Sequence, residues 1–324
     1  MRIFLLSLFV FFSAPAFSQA DSSTLQPKTE NYFRFTYDND FFSATDRYYT
    51  QGIQLVFIHP VVKHSPFSKT LIPLGKTARN YYGFQLEQDC FTPRSIRHEE
   101  IFYGERPFSA TFFISHLLRS LDLLKKRSLT TQLDMGVIGP CARCEDEQKA
   151  IHKALVNIYP QGWEHQIKND VILNYRTSFE KGLINTRHFE LMGNTSARIG
   201  TLYTDIGLGL HFRLGILNPY YANPGLSKAP YSKNTNRIFS TYVYLRTNAR
   251  LVGYNATLQG GLFNQESVYT VPSGDVSRIV ADGIAGIVIV FKRVSLEYSK
   301  AYVTSEFTGG LDHGWGRCVI TLCF

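Results

Sequence analysis

After its first twenty residues the chain lacks any stretch approaching about 18 uncharged apolar positions, which excludes a typical spanning helix. It has little tryptophan and methionine, 2 and 3 residues, against 25 Phe and 19 Tyr. That profile suits strands and supplies many rings for interfacial girdles. There is no linker rich in Pro, Gly or Ser, no low-complexity block and no repeat, so one folded domain is expected. No GxSxG elbow occurs and no Ser, His and acid stand at a recognisable spacing, which turns the search from an acyl-enzyme towards a water nucleophile. Cysteine is sparse: with 5, at least one stays unpaired. Cys141 and Cys144 have CxxC spacing, open to a redox pair, half a zinc site or a local disulfide. Neither a second CxxC nor a His pair at finger spacing accompanies them. Cys318 and Cys323 lie at opposite parities of one terminal strand and cannot pair without breaking it.

The amino terminus has the layout of a secretory signal: Arg2, an apolar run from Ile3 to Phe12, then small residues at Ala14, Ala16 and Ser18. Residues 1–20 are therefore expected to be removed, leaving 21–324 as one exported domain. No Cys sits at the cleavage region, which argues against a lipoprotein. The net charge of +8 favours anionic partners. For an exported protein these are a phosphate-bearing lipid surface rather than nucleic acid.

Alternation of period two, broken by turn-rich segments, predicts twelve strands at 31–38, 51–59, 80–89, 108–117, 129–139, 169–180, 187–199, 203–215, 238–252, 280–292, 293–303 and 315–324. In the ninth, Thr241, Val243, Leu245, Ala249 and Leu251 oppose Ser240, Tyr242, Tyr244, Arg246, Asn248 and Arg250. The second face is too polar for a sandwich core and suits a solvated barrel interior. The expected fold is all-β: a twelve-stranded antiparallel transmembrane β-barrel. Its terminal Phe324 is similar to the aromatic end of outer-membrane barrels.

With the amino terminus in the periplasm, the outer connections become 39–50, 90–107, 140–168, 200–202, 253–279 and 304–314. Each polar cluster with chemical potential falls in that set. Glu145 to Asn157 is predicted as a short extracellular helix, with three acids in its first turn and Ile151, Leu155 and Ile158 on one face. That apolar face must rest on barrel wall or lipid, because so short a helix does not persist alone. His152 lies beside the stripe, and an imidazole both accepts and returns protons near neutrality. The segment DNDFFSATDRYYTQG, Asp38 to Gly52, offers oxygen ligands for calcium in Asp38, Asn39, Asp40, Asp46 and Thr50, although it is no EF-hand. Parity puts Asn39 on the lipid side of the rim. Arg94, Arg97 and Arg106 add positive charge to the second outer loop.

These residues resemble a known family, the outer-membrane lipid A 3′-O-deacylases (LpxR-like proteins). The resemblance rests on DND…TDRYYTQG, Gln88-Asp89 with Thr92-Pro93, Arg106 to Ser109, GVIGP (Gly136 to Pro140), Gln148 with His152, Gly162-Trp163, Gln166 and Thr304 to Phe307. It implies a calcium-dependent hydrolase that removes the 3′-linked acyloxyacyl chain from lipid A or lipopolysaccharide at the outer leaflet. It further implies Asn39 and Asp40 as an active-site pair, with Asp40 holding Ca2+, Thr50 as their partner and His152 as the base that activates water. The family's acid after the histidine falls on Ile158 here, and Glu164 is one replacement. The family's lysine in the second loop has Arg97 as the nearest basic candidate. A non-enzymatic channel or adhesion barrel, or a phospholipase on the same barrel, are the alternatives.

Overall fold

The computed structural model of the chain describes residues 31–43, 47–222 and 239–324. The proposed signal segment and Asp46 lie outside these described residues. All twelve predicted strands are present and close on themselves in chain order, with β12 returning to β1. They are β1 (Tyr32–Asn39), β2 (Tyr48–Ile58), β3 (Arg79–Thr92), β4 (Ser109–Asp122), β5 (Arg127–Ile138), β6 (Asp170–Asn185), β7 (Phe189–Gly200), β8 (Tyr203–Ile216), β9 (Phe239–Asn255), β10 (Ile279–Phe291), β11 (Val294–Val303) and β12 (His313–Cys323). Closure runs from Tyr32↔Cys323 to Asn39↔Gly316 and leaves no unpaired sheet edge. Cys318 and Cys323 are not disulfide-bonded to each other, as their opposite parities required.

Alternation sorts the side chains as the barrel demands. Outward positions such as Ile206, Leu208, Leu210 and Leu214 on β8 and Val243, Leu245 and Leu251 on β9 are exposed. A continuous apolar exterior of this kind is matched by hydrocarbon rather than by water. The interior is held by charge. Arg176 on β6 reaches Asp134 of neighbouring β5 at 2.6 Å and Glu87 of β3, three strands away, at 3.4 Å. Arg246 of β9 reaches Glu180 of β6 at 3.1 Å, and Arg213 of β8 pairs with Glu190 of β7 at 2.5 Å. From a short 3-10 turn, Tyr220–Ala222, the Tyr220 hydroxyl donates to Glu180 at 2.5 Å. Side chains from non-adjacent strands thus span the lumen.

The loops expected on one side do meet there. The loop after β3 joins the one after β9 through Arg106 and Thr257, and Lys168 of the loop after β5 donates to Ser267 at 3.1 Å. Tyr48 at the start of β2 packs edge-on against Phe307 of the loop before β12. These contacts make one composite rim.

Candidate active site

The helix α1 spans Cys144–Ala154, shorter at its carboxyl end than the sequence suggests. Its acidic first turn complements the amino-terminal dipole. Of the two supports expected for its apolar face, barrel wall or lipid, the wall takes other residues. The residues buried against the protein are Cys144, Gln148 and His152, spaced four apart, while Leu155 and Val156 are 70% and 94% exposed. Polar and sulfur contacts hold this helix to the wall, while Leu155 and Ile158 fall beyond its last turn and Ile151 is half-buried beside the docked stripe.

Those contacts identify the wall it lies on. Gln88 and Cys90 share the parity of exposed Leu86 on β3, and Gln51 shares that of exposed Phe57 on β2, so all three point outward. Gln51 donates to Glu147 at 2.6 Å, and Gln88 donates to the carbonyl of Ala142 at 2.8 Å. Cys90 forms a disulfide with Cys144, the first residue of α1. The CxxC readings are thereby overturned: Cys144 pairs 54 residues upstream, and Cys141 is an exposed free thiol. Helix α1 therefore sits on the outer surface of β2 and β3, at the rim.

Two glycines allow this approach. Gly139 has φ of 107°, and a Cβ there would stand 2.7 Å from the backbone of Lys168 and Asn169. Gly162 has φ of 91° and lies against the ring of Phe108. It delivers the fully buried Trp163, whose indole donates to Gln148 at 2.7 Å. Gln166 donates to Glu145 at 3.4 Å. The motif pieces Gln88, Gly139, Gln148, Gly162, Trp163 and Gln166 are thus the parts that seat α1.

His152 is 9% exposed, and its Nδ1 lies 2.6 Å from the carbonyl oxygen of Ile158. A carbonyl only accepts, so Nδ1 carries the proton and Nε2 presents a lone pair. The residue that stands where an acid was expected orients the base through its backbone. Glu164 instead lies 3.8 Å from its neighbour His165, in an exposed pair.

Asn39 ends β1 on the outward face, where its backbone position pairs with Gln51. Its Oδ1 accepts from the Phe41 amide at 2.9 Å and its Nδ2 donates to the Tyr37 hydroxyl at 3.2 Å. Asp40 follows as the first residue of a 3-10 turn, Asp40–Ser43, and is buried. Thr50 is the unpaired residue of a bulge: Tyr49 pairs with Phe91 and Gln51 with Cys90. Such bulges re-aim side chains beside functional sites. Asn39 and Thr50 are brought together by the β1–β2 ladder, and Glu147 ties that ladder to the helix carrying His152. Along the axis, Glu147 and His152 are about 7.5 Å apart. Sequence reasoning missed Gln51, Glu147 and Cys90; outward parity at the rim was the available signal for both Gln51 and Cys90.

Other sequence candidates serve structure. Asp38 is buried on the inward face and takes Arg317 in two bonds, 2.7 and 2.6 Å, with Tyr49 and Trp315 each at 3.2 Å. It is committed to this cluster rather than to the outward site. Arg106 is 1% exposed, pairs with Glu306 at 3.2 Å and donates to Thr257 at 2.9 Å, binding three rim loops together. Burial raises the Glu306 carboxyl, but Arg106 foremost among its neighbours holds it below the usual carboxylate range. Arg94 pairs with Glu105 at 3.5 Å, and the Arg97 amide donates to Ser95 in an exposed turn.

Against known proteins, the family described as "Outer membrane protein LpxR" matches residues 4–324. No curated protein sequence matches. Among solved structures, LpxR from Salmonella typhimurium superposes with a TM-score of 0.72 at 25% identity, over 90% of this chain and 100% of that one. The β domain of the Bordetella autotransporter BrkA gives a TM-score of 0.45 at 9% identity, over 91% and 98%. With the match running through nearly the whole length and the twelve-stranded barrel shared, this chain belongs to the LpxR family of outer-membrane proteins.

Proposed function

We propose that the protein is a calcium-dependent carboxylic ester hydrolase that removes the 3′-linked acyloxyacyl chain from lipid A in the outer leaflet of the outer membrane. The observation that carries this reading is His152, oriented by the Ile158 carbonyl on a helix fastened to the outward face of β2 and β3. A base in that place lies on the lipid side of the wall rather than in the lumen. The lumen is bridged by Arg176–Glu87 and Arg246–Glu180 between non-adjacent strands, which speaks against a channel. Exposed Leu155 and Val156 offer acyl chains an apolar surface beside the site.

His152 Nε2 takes a proton from water as the water oxygen attacks the ester carbonyl carbon. The bond from that carbon to the sugar 3′ oxygen then breaks. The same proton passes to the leaving oxygen, so the products are a free acyloxyacyl acid and a 3′ hydroxyl. Asn39 and Thr50 position the ester or the metal. Asp40, with the side-chain oxygens of Asn39 and Thr50, would hold calcium; this all-oxygen donor set suits a hard cation. Bound calcium supplies positive charge against the developing oxyanion. Among the described residues no three of His, Cys, Asp and Glu gather, and Asp38 is held by Arg317. One carboxylate with neutral oxygens makes a weak site, half-saturated on the order of 10⁻⁴ M calcium or above.

The test is mass spectrometry of lipid A from cells expressing the wild-type chain or His152→Ala, with calcium supplied or chelated. Loss of an acyloxyacyl unit only with wild type and calcium supports the reading. Unchanged lipid A beside folded barrel overturns it, and fatty-acid release from phospholipid alone would reassign the substrate.

A further inference from the structure

We propose that the Cys90–Cys144 disulfide is the tether that positions His152, so that the hydrolytic site depends on an oxidised envelope. The inference rests on the functional reading above and adds to it a redox requirement. It starts from how little else holds α1. The helix has 11 residues, too few to persist without tertiary support. The apolar residues just past its end, Leu155 and Val156, are exposed and give it no anchor. What remains at its first turns is the Gln51–Glu147 bond, the Gln88 bond to the Ala142 carbonyl, and the Trp163 and Gln166 bonds from its own loop. Each is a single polar contact worth little net free energy at a membrane rim.

The disulfide differs in kind. It joins the outward face of β3 to the first residue of α1, with Cα atoms 5.7 Å apart, and both cysteines are almost fully buried. Ile96, Phe108, Ala110, Ala142 and Trp163 complete the cluster around it. His152 lies eight residues on, on the same buried stripe as Cys144 and Gln148. Fixing Cys144 therefore fixes the rotation of the helix about its axis, and with it the side on which His152 emerges. Cys90 and Cys144 act through the helix and are positioning residues. Exposed Cys141 stands in the turn before Cys144 and is the one thiol of that loop outside the bond.

The experiment compares wild type, Cys90→Ser/Cys144→Ser and Cys141→Ser, each purified as folded barrel, by hydrogen exchange and by hydrolysis of lipid A in mixed micelles with calcium. In the double variant, amide exchange over residues 144–154 should accelerate at least tenfold while β4 to β12 keep their protection. Hydrolysis should fall at least tenfold in kcat with KM within twofold, and Cys141→Ser should match wild type in both. Emission of Trp163, one of 2 Trp in the chain and packed beside the disulfide, should rise and shift to the red in the double variant. Unchanged protection of 144–154 overturns the tether whatever the activity does. A loosened helix with full activity overturns the positioning role. If wild type hydrolyses no lipid A, the functional reading fails by itself, and exchange and emission still decide the tether.

Discussion

The inward and outward faces of β1 to β3 carry polar groups at the same height on the same strands and use them differently. Inward, Asp38, Tyr49, Asp89, Trp315 and Arg317 form a closed set, with the carboxylate of Asp38 answered by a guanidinium in two bonds. Outward, Asn39, Gln51 and Gln88 are neutral amides whose partners are, in turn, the same strand and the turn after it, α1, and the turn just before α1. The difference follows from the medium. A charge facing a lumen can be paired by another strand's charge, whereas a charge facing lipid has no such neighbour and is costly. Alternation therefore places a rigid, charge-paired lining directly behind a neutral, adaptable surface, and the proposed site sits on the second.

The comparison predicts that the two faces fail in different ways. Arg317→Ala should give the largest effect, because it leaves buried Asp38 without its guanidinium: a loss of roughly 3 kcal/mol, seen as a lower urea midpoint in lipid vesicles. Activity per folded molecule should stay near wild type. Arg317→Met with Asp38→Leu should recover most of that stability, which would show that the inner cluster serves the wall alone. Asn39→Ala should do the opposite. Hydrolysis should fall about 10²-fold, with the urea midpoint moved by no more than about 0.5 kcal/mol. If Asn39→Ala unfolds the barrel or leaves hydrolysis intact, the division between the faces is wrong.

Strand positions were readable because a barrel repeats one simple rule, alternation, twelve times. The same rule put Asn39 on the outside of the rim. It did not reveal how α1 docks, because an apolar stripe can rest on wall or on lipid alike, and the wall is met instead by Cys144, Gln148 and His152 while Leu155 stays exposed. Nor did local spacing reveal the disulfide. Cys144 stands three residues from Cys141, yet its partner is on a strand 54 residues away, brought near by the β3–β4–β5 meander. Among the Asp38, Asn39 and Asp40 oxygens, composition made Asp38 look equal to its neighbours. Only the register with β12, which sets Asp38 opposite Arg317, removes it from the candidate calcium ligands.

A smaller effect tests the seam between wall and helix. Gln51→Ala removes the bond to Glu147 and should cost about 1 kcal/mol of helix docking, read as faster exchange over residues 144–154 with the strands unaltered. Hydrolysis should fall severalfold, and Cys90–Cys144 should keep the loss below that of removing the disulfide. Failure of that order, with Gln51→Ala the more damaging, would put the orientation of α1 on the hydrogen bond instead.

The smallest effect concerns the rim loops that neither face contains. Glu306 is drawn down by Arg106 against the upward push of burial, so its carboxylate is more stable folded than unfolded. The sign follows from linkage: with the folded value depressed, the stabilisation is fully present above the unfolded carboxylate value and is lost as pH falls through the folded one. Because Glu306 retains partial exposure, the contribution is on the order of 1 kcal/mol at most. Exchange in residues 304–312 should therefore quicken below about pH 4 in wild type. Glu306→Gln should quicken it at neutral pH and flatten the acid response, while protection of 144–154 stays as it was. A matching acid response in α1 would mean that the rim loops and the helix open as one unit, and that the outward site is coupled to the charge pairs above the lumen rather than set apart from them.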